Sequence, residues 1–477
     1  MTEVQRRKWL TLAVVGAAFF MTILDVAIVN VAIPSILKNL HIAESTVQWV
    51  VTAYAITFGG FLLLGGRMAD LLGRRRIFLV GLVLFTLASL ACGFAWSAGV
   101  LIASRAVQGL GAAIISPAAL SIVTTTFDEG AERNKALGIW GALGGSGAAA
   151  GVLFGGILTK YLGWEWIFFV NVPVGAVVLS LTRPFVKESR AELGHRRFDA
   201  TGAVTVTASL TILVYAISKA PFVGWATFRT IGLLALSAAS LIAFLVTETR
   251  TRAPLMPFEI FRNRSVTAAN VVGLLFGAAI FANFFILTLY VQQVLGWSAL
   301  KAGLTFLATA GTVVVWAGVS QALVTRFGPR PILTLGLLIA GGTMLYYTKL
   351  PVSGHYWPDL LPPYLTFSLG MAFTFIPVTI AAFVGVEARL AGLASGLLNT
   401  SQQIGGAIGV AVASTIFTAH AKSLLKSGHS FAQAYTSGYH WAFFALAVTA
   451  FVASATSFVL LRGVRVAATA EPAPAAV

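Results

Sequence analysis

Residues 9–34 read WLTLAVVGAAFFMTILDVAIVNVAIP, and Asp25 is the one charge among them. A helix needs about 20 apolar residues to cross the hydrocarbon core of a bilayer. This stretch from Trp9 to Pro34 is long enough to do so. Arg6, Arg7 and Lys8 stand before it, as they would before a secretory leader. It is longer than a leader's apolar core, however, and an acid sits in its middle, so it reads as the first spanning helix.

The rest of the chain repeats the pattern. Of 477 residues, 58% are apolar and 10% are charged, against about 45–50% and about 25% in soluble domains. Fourteen spans are expected, at 9–36, 47–66, 77–96, 100–126, 136–159, 164–182, 201–219, 230–247, 266–290, 302–323, 331–349, 359–383, 392–419 and 440–461. With the N-terminus in the cytoplasm, the inner segments carry 23 Lys/Arg and the outer segments 8. That asymmetry is the positive-inside rule, and it predicts two cytoplasmic termini in a cell (inner, cytoplasmic) membrane protein, with residues 420–438 as an outer loop. The net charge of +16 is therefore expected to meet membrane lipids rather than nucleic acid. Cys92 is the single cysteine, which excludes an intrachain disulfide and a cysteine metal cluster.

Two loops echo each other. Leu71-Leu72-Gly73-Arg74-Arg75 follows span 2, and Arg326-Phe327-Gly328-Pro329-Arg330 follows span 10. Spans 5 and 13 both open after a Glu/Arg pair and turn glycine-rich. The expected fold is an all-α membrane protein of fourteen transmembrane helices: two six-helix bundles, residues 1–200 and 266–461, with two inserted helices and a basic linker at 201–265. Residues 462–477 read as a disordered cytoplasmic tail, rich in Ala and Pro from Ala467 on.

Candidate chemistry is sparse. An acid at bilayer depth costs about 2.5–3.5 kcal/mol on insertion scales, so Asp25 is expected to be there for function, as a group that takes up and releases a proton. Arg105 is the one basic residue deep in a span, and Gln108 lies three positions on, on the same helix face. A purely structural Asp25–Arg105 pair is the competing reading. The loop from Gly66 to Arg75, with Asp70, Gly73, Arg74 and Arg75, suits a clasp in which Asp70 accepts hydrogen bonds from arginines or from a helix N-terminus; a plain basic loop is the alternative. Gly147, Gly151 and Gly155 are spaced by four, a close-packing seam. Asn30, Asn283, Tyr290, Asn399, Gln402 and Gln403 are candidates to line a cavity, the last three on one face of span 13. There is no GxxxxGK[ST] for ATP, no HExxH for zinc and no assembled Ser–His–Asp set. No metal, no cofactor other than the proton as coupling ion, and no enzymatic activity are expected.

Taken in order, these motifs resemble the major facilitator superfamily, specifically its fourteen-helix drug–proton antiporter branch, over about residues 9–461. The resemblance rests on Leu24 through Pro34, Gly66 through Arg75, Arg105-Ala106-Val107-Gln108-Gly109, Trp164 through Pro173 and Leu289 through Gly296. It implies a central cavity between spans 1, 4, 9 and 12, and proton-coupled export of small lipophilic compounds by a monomer. Val152 stands after Gly151 where that branch usually has proline, Glu165 where it usually has arginine, and Gln402 where many members are basic. A dedicated exporter of one metabolite, an importer, and a membrane-embedded enzyme or receptor are the other readings.

Overall fold

The computed structural model describes residues 2–42, 44–190, 199–251 and 254–464, and is helical throughout them. Most of the proposed tail lies outside the described residues. The helices are α1 (Glu3–Leu40), α2 (Glu44–Leu72), α3 (Arg74–Gly93), α4 (Ala98–Thr126), α5 (Ala131–Tyr161), α6 (Trp166–Phe169), α7 (Asn171–Phe185), α8 (Ala200–Val223), α9 (Phe228–Arg250), α10 (Arg264–Leu289), α11 (Ala299–Thr305), α12 (Leu307–Phe327), α13 (Pro329–Tyr347), α14 (Leu361–Phe383), α15 (Ala391–Lys426) and α16 (Phe431–Leu460). Among the described residues, 13 helical stretches are long and apolar enough to cross a membrane. α13, of 19 residues, is a further long helix between two of them.

Several ends differ from the sequence reading. α1 starts at Glu3 because Thr2 caps it, its hydroxyl accepting from Gln5 N. The basic run before span 1 is therefore helical. The expected loop 420–438 is mostly helix: α15 runs to Lys426, and α16 starts at Phe431 behind a Ser430/Gln433 capping box. The polar residues there mislead a hydropathy reading, while Phe417 stacked on Tyr439, with ring centroids 4.3 Å apart, ties the two helices together. The sixth span is broken between α6 and α7, since Pro173 has no N–H to continue the ladder.

The packing repeats. α1 lies on α5, α2 on α4, and α3 on α4 and α7; likewise α10 lies on α15, α12 on α14, and α13 on α14 and α16. The glycine seam of α5 explains the first contact: a Cβ at Gly151 would stand 2.6 Å from Leu24 O and 2.7 Å from Ala27 Cβ. Gly405 and Gly409 of α15 meet the backbone of Leu274 and Ala278 on α10 in the same manner. Between the two groups, the second helix of each meets the fifth of the other, α2 with α15 and α5 with α12. α8 packs on α9 and also on both α2 and α15.

Candidate functional site

Asp25, in the middle of α1, is wholly buried, and so is Arg105 of α4 at 1% exposure. Arg105 Nη1 donates to Asp25 Oδ2 at 2.6 Å and to Gln108 Oε1 at 2.7 Å. Gln108 Nε2 donates to Asp25 Oδ1 at 2.8 Å, and Asn171 Nδ2 at the start of α7 donates to the same oxygen at 3.0 Å. Ser89 of α3 accepts from both amides at 3.1 Å and gives its own proton to Phe168 O. The guanidinium is fixed from the other side by Val50 O at 3.1 Å and by the Tyr54 ring, 4.3 Å from its carbon. The Cys92 thiol lies 3.6 Å from Gln108 Oε1.

The arrangement is an ion pair whose partners come from five helices, α1, α2, α3, α4 and α7. Removing one member of such a buried pair leaves the other uncompensated, at a cost of about 3–5 kcal/mol. Chemically, it presents one carboxylate and one fixed cation at depth in the bundle. The sequence singles out Asp25, Arg105 and Gln108, and the structure brings them together. Ser89, Tyr54 and Asn171 went unread. Asn171 did carry a signal, a polar residue two positions before Pro173 within an apolar run.

A second constellation lies at the end of the bundle that carries the N-terminus. Asp70 is fully buried at the end of α2. Its Oδ1 accepts from Arg74 Nη2 at 2.7 Å and from Gly392 N at 2.9 Å, and its Oδ2 accepts from Leu393 N at 2.9 Å. The carboxylate thus caps the N-terminus of α15, where free N–H groups favour an anion. Arg74 also donates to Ser121 Oγ at 2.6 Å and to Ala388 O. Gly73, at φ +110°, makes the turn between α2 and α3. Gly66 lets α2 cross α15 at the backbone of Gly392, closer than a side chain would allow. Arg75 faces Glu188 instead, its N–H donating to Oε1 at 3.1 Å. At the corresponding edge between α5 and α12, Asn134 Nδ2 donates to Thr325 Oγ1 at 3.1 Å, a neutral contact.

The other candidates are not gathered at one place. Asn30 is exposed and donates to Val26 O on its own helix. Asn399 reaches α4, accepting from Ser116 Oγ at 3.4 Å. Gln402 is buried with Nε2 unpartnered among the described residues, Gln403 is half-buried, and Asn283 is fully buried with neither amide atom partnered. Tyr290 is buried and donates to Pro351 O. It lies about 39 Å along α10 from Arg264, while Gln402 is about 17 Å into α15, at different depths. Among the described residues, no group of His, Cys, Asp and Glu is placed to hold a metal.

The Major Facilitator Superfamily sequence pattern matches residues 15–410. The chain belongs to the Major Facilitator Superfamily. This superfamily member is 38% identical over 415 residues to the puromycin resistance protein pur8 of Streptomyces alboniger, covering 86% of this chain and 82% of that protein. It is 34% identical over 407 residues to the tetracenomycin C resistance and export protein of Streptomyces glaucescens, covering 85% and 75%. It is 36% identical over 405 residues to the MFS-type transporter EfpA of Mycobacterium tuberculosis, covering 85% and 76%. In fold it is similar to the human organic anion transporter MFSD10, with a TM-score of 0.68 at 15% identity over 94% of this chain and 99% of that one. Like those relatives, this Major Facilitator Superfamily protein is a multi-pass membrane transporter and not an enzyme.

Proposed function

We propose that the protein exports small lipophilic compounds, antibiotics among them, in exchange for protons by alternating access. The observation that carries the reading is Asp25, a single carboxylate at mid-depth, held by Arg105 and Gln108. The names of the resistance and export proteins among its relatives support the direction of transport. The proposed frame has fourteen spanning helices in two bundles, 1–200 and 266–461, joined by the pair in 201–265, with both termini in the cytoplasm of an inner-membrane monomer. The charge asymmetry of the loops supports that orientation.

In this frame the end carrying the Asp70 clasp is cytoplasmic, and the described conformation is shut there. Opening the clasp admits substrate from the cytoplasm or inner leaflet, and Asp25 gives up its proton. Rocking to the other side releases the substrate and reprotonates Asp25. One proton moving down about 100 mV supplies about 2.3 kcal/mol, and one pH unit about 1.36 kcal/mol more. The sum sustains a concentration ratio of a few hundred for a neutral substrate. The names of relatives that confer resistance to a single antibiotic also favour a narrower version, export of one such compound.

Proteoliposomes with an imposed pH gradient test the coupling. Asp25→Asn keeps size and hydrogen bonding but cannot titrate. Uphill accumulation should vanish while downhill exchange of a neutral substrate survives. Accumulation that persists and collapses with the gradient would move the coupling site away from Asp25.

A further inference from the structure

The two oxygens of Asp25 are not equivalent. Oδ1 accepts two amide N–H bonds, from Gln108 and Asn171; Oδ2 accepts one bond, from Arg105. We propose that Asn171 is a positioning residue for proton exchange: with Gln108 it reserves Oδ1 as an acceptor, so that the proton binds and leaves at Oδ2. The inference rests on the reading of Asp25 as the coupling group.

Both amides are locked in their donor orientation. Gln108 Oε1 is taken by Arg105 Nη1, which leaves only its NH2 for Asp25. Asn171 Nδ2 also donates to Ser89 Oγ, whose own proton is committed to Phe168 O. An amide NH2 has no lone pair to offer, so a proton on Oδ1 would displace one donor and leave the other on a hydroxyl oxygen, a poor acceptor. A proton on Oδ2 displaces one bond only, and the displaced group has other supports. Arg105 keeps Val50 O, Gln108 Oε1 and the face of Tyr54. On binding, a proton from water on the open side forms the O–H bond at Oδ2 and the Nη1–H···Oδ2 contact is given up. On release, the O–H bond breaks, its electron pair stays on Oδ2, the proton returns to water, and Nη1 takes the oxygen again.

The local fold explains why Asn171 is available. Pro173 has no N–H for Phe169 O, and the helix breaks at Val170, making Asn171 the first residue of α7; Phe168 O accepts from Val170 N and from the Ser89 hydroxyl. The titratable and charged groups facing Asp25 from neighbouring helices are Arg105 on α4, Tyr54 on α2 and Cys92 on α3. α5 meets α1 at this level through Gly151, against Leu24 and Ala27, and α7 presents Asn171. None of these supplies a second carboxylate, so the choice of oxygen falls to the amides.

The test uses the full chain in proteoliposomes, with a transported antibiotic that does not titrate near neutral pH, chloramphenicol as the first probe if it is carried and otherwise whichever uncharged compound the wild type accumulates. Asn171→Ala removes a donor to the charged form, which favours proton binding. Its pH-driven accumulation should persist, with the midpoint of its pH profile moved up by about one to two units, the size of one hydrogen bond to a charged group. Asn171→Ser, polar but too short to reach Oδ1, should shift the same way. Infrared difference spectra give a second readout: the carboxylic C=O band that Asp25→Asn abolishes should move to higher wavenumber in both variants, because the Oδ1 carbonyl accepts one bond fewer. An unmoved midpoint together with an unmoved band, in either variant that still transports, overturns the proposal. Persistent pH-driven accumulation in Asp25→Asn is a separate failure, that of the coupling reading itself.

Discussion

Asp70→Asn isolates the clasp at the N-terminal end of α15. The change conserves volume, so the packing around a fully buried side chain is kept. It removes the charge, and the new NH2 faces a backbone N–H where Gly392 N or Leu393 N, each at 2.9 Å, has an acceptor now. The bond to Arg74 joins residues four apart and survives any parting of α2 from α15; the bonds to Gly392 and Leu393 do not. Hydrogen bonds to charged groups contribute about 1.5–3 kcal/mol each. Losing one and weakening the other, with water partly replacing them on opening, gives a net shift of about 3 kcal/mol, or about a hundredfold in the closed-to-open ratio. Ser116→Cys supplies the assay. Ser116 is 2% exposed on α4 and bonds Asn399 across the boundary with α15, so its replacement should be shielded while the clasp holds. An impermeant maleimide applied to inside-out vesicles should label it roughly 10 to 100 times faster in the Asp70→Asn background. Cys92 is buried, and the protein without Ser116→Cys provides the control. Equal labelling rates with and without Asp70→Asn would refute the clasp.

Three further outcomes follow from the geometry. Arg105→Ala leaves Asp25 buried without its cation and should destabilise the protein by about 3–5 kcal/mol, read as a drop in the melting temperature of detergent-solubilised protein; the same variant at high substrate should lose its normal pH profile. Gly151→Leu drives a side chain into Leu24 O and Ala27, so α1 must separate from α5, and folded yield should fall sharply while Gly232→Leu, at a site with open space, leaves it unchanged. In intact cells, a cysteine placed at Ser427 in the turn between α15 and α16 should react with an impermeant reagent from outside, and one at Ser189 should not; the opposite pattern inverts the proposed orientation.

The centre of the site was legible because membrane insertion penalises it. A lone acid in Trp9–Pro34 and a lone arginine in α4 are conspicuous against an apolar background, and the three-residue step from Arg105 to Gln108 sets them on one face. Ser89, Tyr54 and Asn171 are ordinary helix residues in composition, and nothing in their spacing links them to Asp25, from which Asn171 is 146 positions away. Tertiary packing alone gathers them. The clasp was half legible: Asp70 as an acceptor for arginine or a helix N-terminus follows from the loop motif, whereas the identity of that helix, α15, depends on the crossing of Gly66 over Gly392. Helix ends were read least well. The start of α16 is polar, and it is helical because Ser430 caps it and Ala434 and Tyr439 are buried against its neighbours. Span 10 bends at Phe306, between α11 and α12, where Phe306 N turns to Gly303 O at 3.1 Å, and a single glycine within an apolar run is too weak a signal to place such a bend.

The two edges of the seam between the halves are fastened differently: a fully buried carboxylate on a helix N-terminus where α2 meets α15, and where α5 meets α12 a neutral amide–hydroxyl bond beside an exposed bond from Gly385 N to Glu129 Oε1 at 3.3 Å. On the proposed alternating-access cycle such a closure parts like a door rather than a pair of jaws, the exposed edge loosening first and the buried edge holding longest. α8 lies across that buried edge, touching both α2 and α15. On the proposed cycle α8 acts as a brake on opening, and changes in α8 should alter turnover without touching a group that binds proton or substrate.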